Sequence, residues 1–158
     1  MQEPLRLSYA ELQQLPTVDV TADFHCVTTW STLDNTWTGV PFRALVDLVK
    51  PEPEAAWVIA HCDYGYTSNL SLAAMDDEDV LVTWAHNGEP LTPEHGFPLR
   101  LMVPKRYAWK SAKWLRRLEF VSENERGFWE ERGYHTHADP WLEERYSYQE
   151  TAEAMREP

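Results

Sequence analysis

Two features of this 158-residue sequence carry side chains capable of chemistry. The first is Cys26, at the end of a segment in which Val18, Val20, Ala22, Phe24 and Cys26 alternate with Asp19, Thr21, Asp23 and His25. A period of two describes a strand with one apolar face, so Cys26 shares the face of Phe24 and His25 points the other way. The polar stretch Thr28-Thr29-Trp30-Ser31 that follows reads as a loop, which leaves the thiol where a strand end can meet a pocket. A cysteine in that place is either a small buried hydrophobe or a soft thiolate of the kind that zinc, iron–sulfur clusters or molybdenum select.

The second feature is a run of cations. Between Arg100 and Leu118 there is no Asp or Glu, yet Arg100, Lys105, Arg106, Lys110, Lys113, Arg116 and Arg117 fall there, seven of the 14 Lys and Arg in a chain of net charge −12. Salt bridges to acidic faces elsewhere would neutralise such a run. The functional alternative is an anion site, most naturally for a phosphate held by Arg forks and Lys charges. His95, five residues before Arg100, would add a donor, and Gly96 would let a ligand approach closely. Zinc is disfavoured. The pairs His25-Cys26 and His61-Cys62, with His135 and His137, lack the two-to-four-residue ligand spacing of structural sites, and adjacent strand residues face opposite ways. Gly-rich phosphate loops, nucleophile elbows and His-Glu-x-x-His are missing.

The elements that must position these residues are legible in outline. Ser8 followed by Glu11 is a capping box for a short helix through Gln14, ended by Pro16. Gly39-Val40-Pro41 opens a second helix with Leu45, Val46, Leu48 and Val49 as its buried stripe. Trp57–Cys62, Val80–His86, Leu99–Val103 and Lys113–Val121 read as strands, with a turn at 63–66 and a tight turn at Asn87-Gly88. The stretch from Gly127 to Tyr148 follows neither period, and 149–158 reads as a flexible helical tail. The expected architecture is one mixed α+β domain with a strand-rich core, in which eight Trp, seven Tyr and five Phe supply core and pocket walls. The acidity argues against nucleic acid as a partner. No apolar run approaches the roughly 20 residues of a membrane span, and no basic-then-apolar leader opens the chain. A soluble cytoplasmic protein with free thiols and no membrane partner is expected.

Taken in order, several segments resemble the sulfite-oxidase-like family of molybdopterin-dependent oxidoreductases. They are Phe24-His25-Cys26, Trp37-Thr38-Gly39-Val40-Pro41, Asp63-Tyr64-Gly65-Tyr66, His95-Gly96-Phe97-Pro98-Leu99-Arg100, Lys110-Ser111-Ala112-Lys113-Trp114, and the closing Gly133-Tyr134-His135 with Asp139-Pro140-Trp141. The resemblance implies a molybdenum–molybdopterin cofactor, with Cys26 as the thiolate ligand to the metal. It places Phe24, His25, Asp63, His95, Arg100, Ser111, Ala112 and Lys113 against the cofactor, and Tyr66 as an active-site tyrosine whose hydroxyl faces an oxygen on the metal. The implied reaction is a two-electron oxygen-atom transfer on a small-molecule substrate. The haem and immunoglobulin-like domains of animal sulfite oxidase are not in this sequence, so an external electron carrier is expected.

This sequence also departs from sulfite oxidases. They bring arginines close behind the cysteine to hold the sulfite anion, whereas Val27-Thr28-Thr29-Trp30-Ser31 stands here. A dianion without counter-charge in a partly buried site is disfavoured. A sulfoxide-type substrate against Trp30 and Trp37 is expected in place of sulfite. The amino end is also shorter than the resemblance leads one to expect, without a strand and loop before the Ser8 helix. The alternative function is a non-catalytic binding module that keeps the fold without a working cofactor site.

Overall fold

A computed structural model describes residues 4–150 of the chain. Ser8 caps helix α1 (Tyr9–Gln13) through the expected box, its Oγ accepting from Glu11 N while Glu11 accepts from Ser8 N. Strand β1 (Val18–His25) keeps its period-two alternation and pairs antiparallel with β2 (Ser31–Pro41). Strand β2 differs from expectation: Ser31 reads as the end of a polar loop, Thr32–Thr38 carry no expected element, and Gly39-Val40-Pro41 read as the start of a helix. These residues instead form an 11-residue strand between β1 and β5 (Leu81–His86). Cross-strand polar pairs satisfy it, since Thr36 Oγ1 meets Thr21 Oγ1 at 3.1 Å, Thr38 donates to Asp19 and His86 Nε2 meets Asn35 Oδ1 at 2.8 Å. Gly39 is required there, because a Cβ would lie 2.1 Å from the Val82 carbonyl oxygen.

Helix α2 (Phe42–Val49) therefore starts one residue after Pro41 and buries Phe42 and Leu45. Leu48, expected in its buried stripe, is exposed. Strand β3 (Trp57–Cys62) lies between β4 (Thr67–Ser71) and β8 (Leu115–Val121) in a second, three-stranded sheet. Strand β4 and the short helix α3 (Leu72–Met75) have no period for the sequence to reveal. The strand's buried Ser68, Asn69 and Ser71 are polar, and Ser71 caps α3 by accepting from Ala74 N. A tight turn at Asn87-Gly88, both at positive φ, returns β5 to β6 (Glu89–Pro90), and β7 (Arg100–Met102) pairs with the start of β5.

The two sheets face each other across a core that includes Val40, Phe42, Val58, Leu70, Val82 and Leu101. They are stitched where the chain passes between them. Arg100 pairs with Thr83 in one sheet and bridges to Lys113 on the way into β8, with Leu101 N donating to Ala112 O and Leu115 N to Leu99 O. From Gly127 onward the chain is irregular, with single helical turns at Glu130–Arg132 and Ser147–Gln149. Of the expected flexible tail, Gln149 and Glu150 are anchored, Glu150 accepting from Thr136 N and pairing with Arg126. Residues 151–158 lie outside the described residues.

Candidate cofactor cleft

The seven cations of the basic segment separate into two kinds. Five find carboxylates outside the segment: Lys105 with Asp77 and Asp79, Arg106 with Asp139, Lys110 with Glu130, Arg116 with Asp63 and Arg117 with Glu119. For those five the segment is ordinary neutralisation, and Lys110 in particular is a core residue, 1% exposed and bonded also to Asn69. Arg100 and Lys113 have no carboxylate partner among the described residues. Arg100 is 4% exposed and donates only to carbonyls, Nη2 to Ser111 O at 2.8 Å and Nη1 to His95 O at 3.3 Å, while its Nε finds no acceptor. Burial pulls its pKa from 12.5 down to about 10. Burial first, and then the Arg100 charge, push the Lys113 ammonium pKa down as well. Two uncompensated cations side by side are a standing cost that an anion would relieve.

Both cations line a cleft of about 500 Å³ at the seam of the two sheets. Of the residues expected at the site, Phe24, Asp63, Tyr66, His95, Arg100, Ser111, Ala112 and Lys113 all line it. Elements from both sheets bring them there: β1 ends with Phe24 and His25, the turn after β3 carries Asp63 and Tyr66, and the stitched segment supplies the rest. Gly96 sits at φ +110, where a Cβ would lie 3.1 Å from the Lys113 side chain and 3.2 Å from Arg100 Cβ. Tyr64 and Trp114 occupy the left-handed region at φ 63 and 55. Strain of that kind at bulky residues tends to gather at functional sites.

Cys26 and His25 do not line the cleft directly. Cys26 is half-buried and follows β1 in a tight turn, its N–H donating to Trp30 O, and Trp30 does line the cleft. The sulfur meets Thr28 Oγ1 at 3.1 Å. His25 turns aside, as alternation requires, with Nδ1 2.8 Å from Ser31 Oγ and its ring edge-on to Trp141. Tyr66 carries one correction: its hydroxyl donates to Trp109 O at 2.7 Å, so its proton is committed and only lone pairs face the cleft. Burial holds that phenol far above its ordinary pKa. Asp63 is held as a carboxylate by the two-pronged Arg116 pair at 2.8 and 3.0 Å. Trp37, expected as a wall, lies instead in a small apolar cluster with Leu81, Leu91 and Met102.

The walls that sequence reasoning missed are Tyr64, Trp109, Trp114 and Trp129. Tyr64 and Trp114 stand inside quoted motifs without being singled out, and for Trp109 and Trp129 the signal was only the abundance of aromatics, which does not say which ones share a cavity.

The cleft fits a phosphate-bearing organic cofactor on its own evidence, with an orphaned guanidinium Nε, a neighbouring ammonium that meets the Glu94 carbonyl but no carboxylate among the described residues, a glycine that lets these two side chains pack together, and flat aromatic walls. Comparison with known proteins agrees. Residues 1–129 match the model of the oxidoreductase molybdopterin-binding domain. The chain is 48% identical over 145 residues to the uncharacterized oxidoreductase YuiH of Bacillus subtilis, covering 92% of this chain and 73% of that protein. It is 28% identical to the protein-methionine-sulfoxide reductase catalytic subunit MsrP of Campylobacter jejuni, over 89% of this chain and 54% of MsrP, so it spans about half that relative's length. The sulfane dehydrogenase SoxCD from Paracoccus pantotrophus superposes with a TM-score of 0.68 at 27% identity, over 77% of this chain and 36% of that one. The chain belongs to the sulfite-oxidase-like family of molybdopterin-binding oxidoreductases, whose cofactor is molybdenum-molybdopterin.

Proposed function

We propose that this chain catalyses a two-electron oxygen-atom transfer, with Cys26 as the thiolate ligand of molybdenum and a sulfoxide-type substrate preferred to sulfite. The observation that carries the reading is the pair Arg100 and Lys113, both in the cleft and both without a carboxylate among the described residues. These two side chains and His95 would hold the cofactor's phosphate, and the backbone through Ser111 and Ala112 fixes their spacing. Asp63, kept ionised by Arg116, would accept hydrogen bonds from the pterin, and Phe24 would set the approach to the metal, with His25 outside the cleft against Ser31 and Trp141. When bound, the cofactor supplies the redox chemistry. Tyr66 offers an acceptor, since its proton is held by Trp109 O.

The substrate preference rests on charge and shape. Trp30, Tyr64, Trp109, Trp114 and Trp129 give the cleft aromatic walls, and Glu94 adds a carboxylate that disfavours a dianion, Asp63 being already paired with Arg116. A neutral sulfoxide lies against such walls at little cost, whereas sulfite would compete with the phosphate for the two free cations. The name of the Campylobacter relative, a methionine-sulfoxide reductase, supports the same choice. Electrons come from an external carrier.

The reading is tested on protein made in a host that synthesises the cofactor. Elemental analysis is expected to show close to one molybdenum per chain. With an artificial electron donor, sulfoxides are expected to turn over and sulfite, offered with an acceptor, to react poorly. Cys26→Ser is expected to abolish turnover and change the metal's absorption with the fold intact. Folded protein that takes up no molybdenum would refute the reading in favour of a non-catalytic module.

A further inference from the structure

The sequence after Cys26 holds no basic residue through Ser31, yet a guanidinium reaches the loop from 118 residues away: Arg145 donates from Nε to the carbonyl of Val27 at 3.2 Å. Val27 is the residue directly after the thiol. The guanidinium is half-buried, lies over the Tyr107 ring with its carbon 5.4 Å from the centroid, and has Nη1 3.3 Å from Glu143 Oε1. Its backbone is fixed at both ends. Arg145 N donates to Gln149 Oε1 at 2.9 Å, and Arg145 O accepts from His135 N at 3.0 Å.

His135 is itself locked. It is buried, and its Nδ1 accepts from His137 N and Ala138 N at 3.0 and 3.3 Å. That leaves Nε2 as the donor toward Glu144 Oε2 at 3.2 Å. One turn further on, Trp141 meets the His25 ring edge-on at 5.3 Å. Residues 134–149 thus form a strap across the cysteine loop, and the strap lies beyond residue 129, where the family match ends.

The loop needs such a tie. Its own backbone bonds are Cys26 N to Trp30 O and Thr29 N to Cys26 O, and they close a turn with Thr29 at φ 74. A β-branched residue in the left-handed region persists only where surrounding contacts over-determine it. We propose that Arg145 is a positioning residue, which by holding the Val27 carbonyl fixes the turn that aims the Cys26 sulfur. The consequence for the metal rests on the ligand role proposed for Cys26, but the tie itself does not.

The test uses the full chain in two forms. In cofactor-free protein, hydrogen exchange followed by mass spectrometry compares segment 24–31 with β3 in the parent, Arg145→Ala and Arg145→Lys. Arg145→Ala is expected to speed exchange in 24–31 roughly tenfold, the loss of one charge-assisted hydrogen bond, and to leave β3 unchanged. Arg145→Lys, which retains a single donor, is expected to fall between, and it carries the comparison if the alanine variant does not fold. In metal-loaded protein the thiolate-to-metal absorption band is expected to shift in Arg145→Ala. Unchanged exchange in 24–31, or an equal rise in β3, would overturn the proposal. A local rise with an unmoved band, together with metal retained in Cys26→Ser, supports the tie and overturns the ligand reading alone.

Discussion

Replacing Arg100 by Met separates a residue kept for its ligand from one kept for the fold. In the cofactor-free protein the burial of the guanidinium carries a cost that its contacts roughly offset. Its pKa falls from 12.5 to about 10 through burial, and at about 1.4 kcal/mol per unit that is a cost on the order of 3 kcal/mol at neutral pH. Against it stand one good and one long hydrogen bond to carbonyls and two cation–ring contacts, at 5.3 Å from Phe24 and 5.5 Å from Trp37. Those contribute roughly 3–5 kcal/mol together. Met fills much of the same volume, so the variant is expected within about 2 kcal/mol of the parent in urea denaturation. Cofactor retention is another matter. Nε is a buried charged donor with no acceptor, and one charge-assisted bond of about 1.5–3 kcal/mol corresponds to roughly 10- to 150-fold in affinity. The assay is molybdenum per chain after extended dialysis, beside urea midpoints of the cofactor-free forms. Full molybdenum occupancy, or a stability loss above about 4 kcal/mol with occupancy unchanged, would refute the assignment.

Three further outcomes follow from the same structure. Lys110 and Glu130 are both about 1% exposed and paired, so Glu130→Ala is expected to cost about 3–5 kcal/mol by stranding the ammonium, and Lys110→Met/Glu130→Leu much less; a double-mutant cycle in urea that shows no coupling contradicts this. Alkylation at pH 8 is expected to label Cys26 and spare Cys62, whose thiol is pushed up to about 12 by burial and then by Asp63; peptide mass mapping reads the order. Burial holds the His135 pKa below 6.5 despite Glu144 and Glu150, so the unfolded chain binds the extra proton and stability is expected to fall as pH drops below about 6.5. His135→Asn, which can still accept from the same backbone N–H groups, is expected to flatten that part of the urea-midpoint profile.

Local and periodic signals were enough to determine much of this protein. The α1 cap, the alternation of β1, the apolar run of β3 and the Asn87-Gly88 turn each depend on residues a few positions apart, and each formed where expected. The ordered motifs from Phe24 to Lys113 likewise identified the family, and eight of the residues named from them line the cleft while His25 and Cys26 lie beside it. What the sequence could not decide were matters of partnership across the fold. Strands β2 and β4 are polar segments that become strands only because Thr21, Asp19, His86, Glu130 and Lys110 are there to satisfy them. The acid-free run of seven cations looked uniform because composition counts charges without their neighbours. Folding assigned carboxylates to five of them and left Arg100 and Lys113 for the cleft. An arginine near the cysteine was missing locally and arrived from Arg145. Periodicity reports which face a side chain takes, but the energy of a buried charge or polar group depends on the distance to its counterpart, and only the tertiary structure sets that distance.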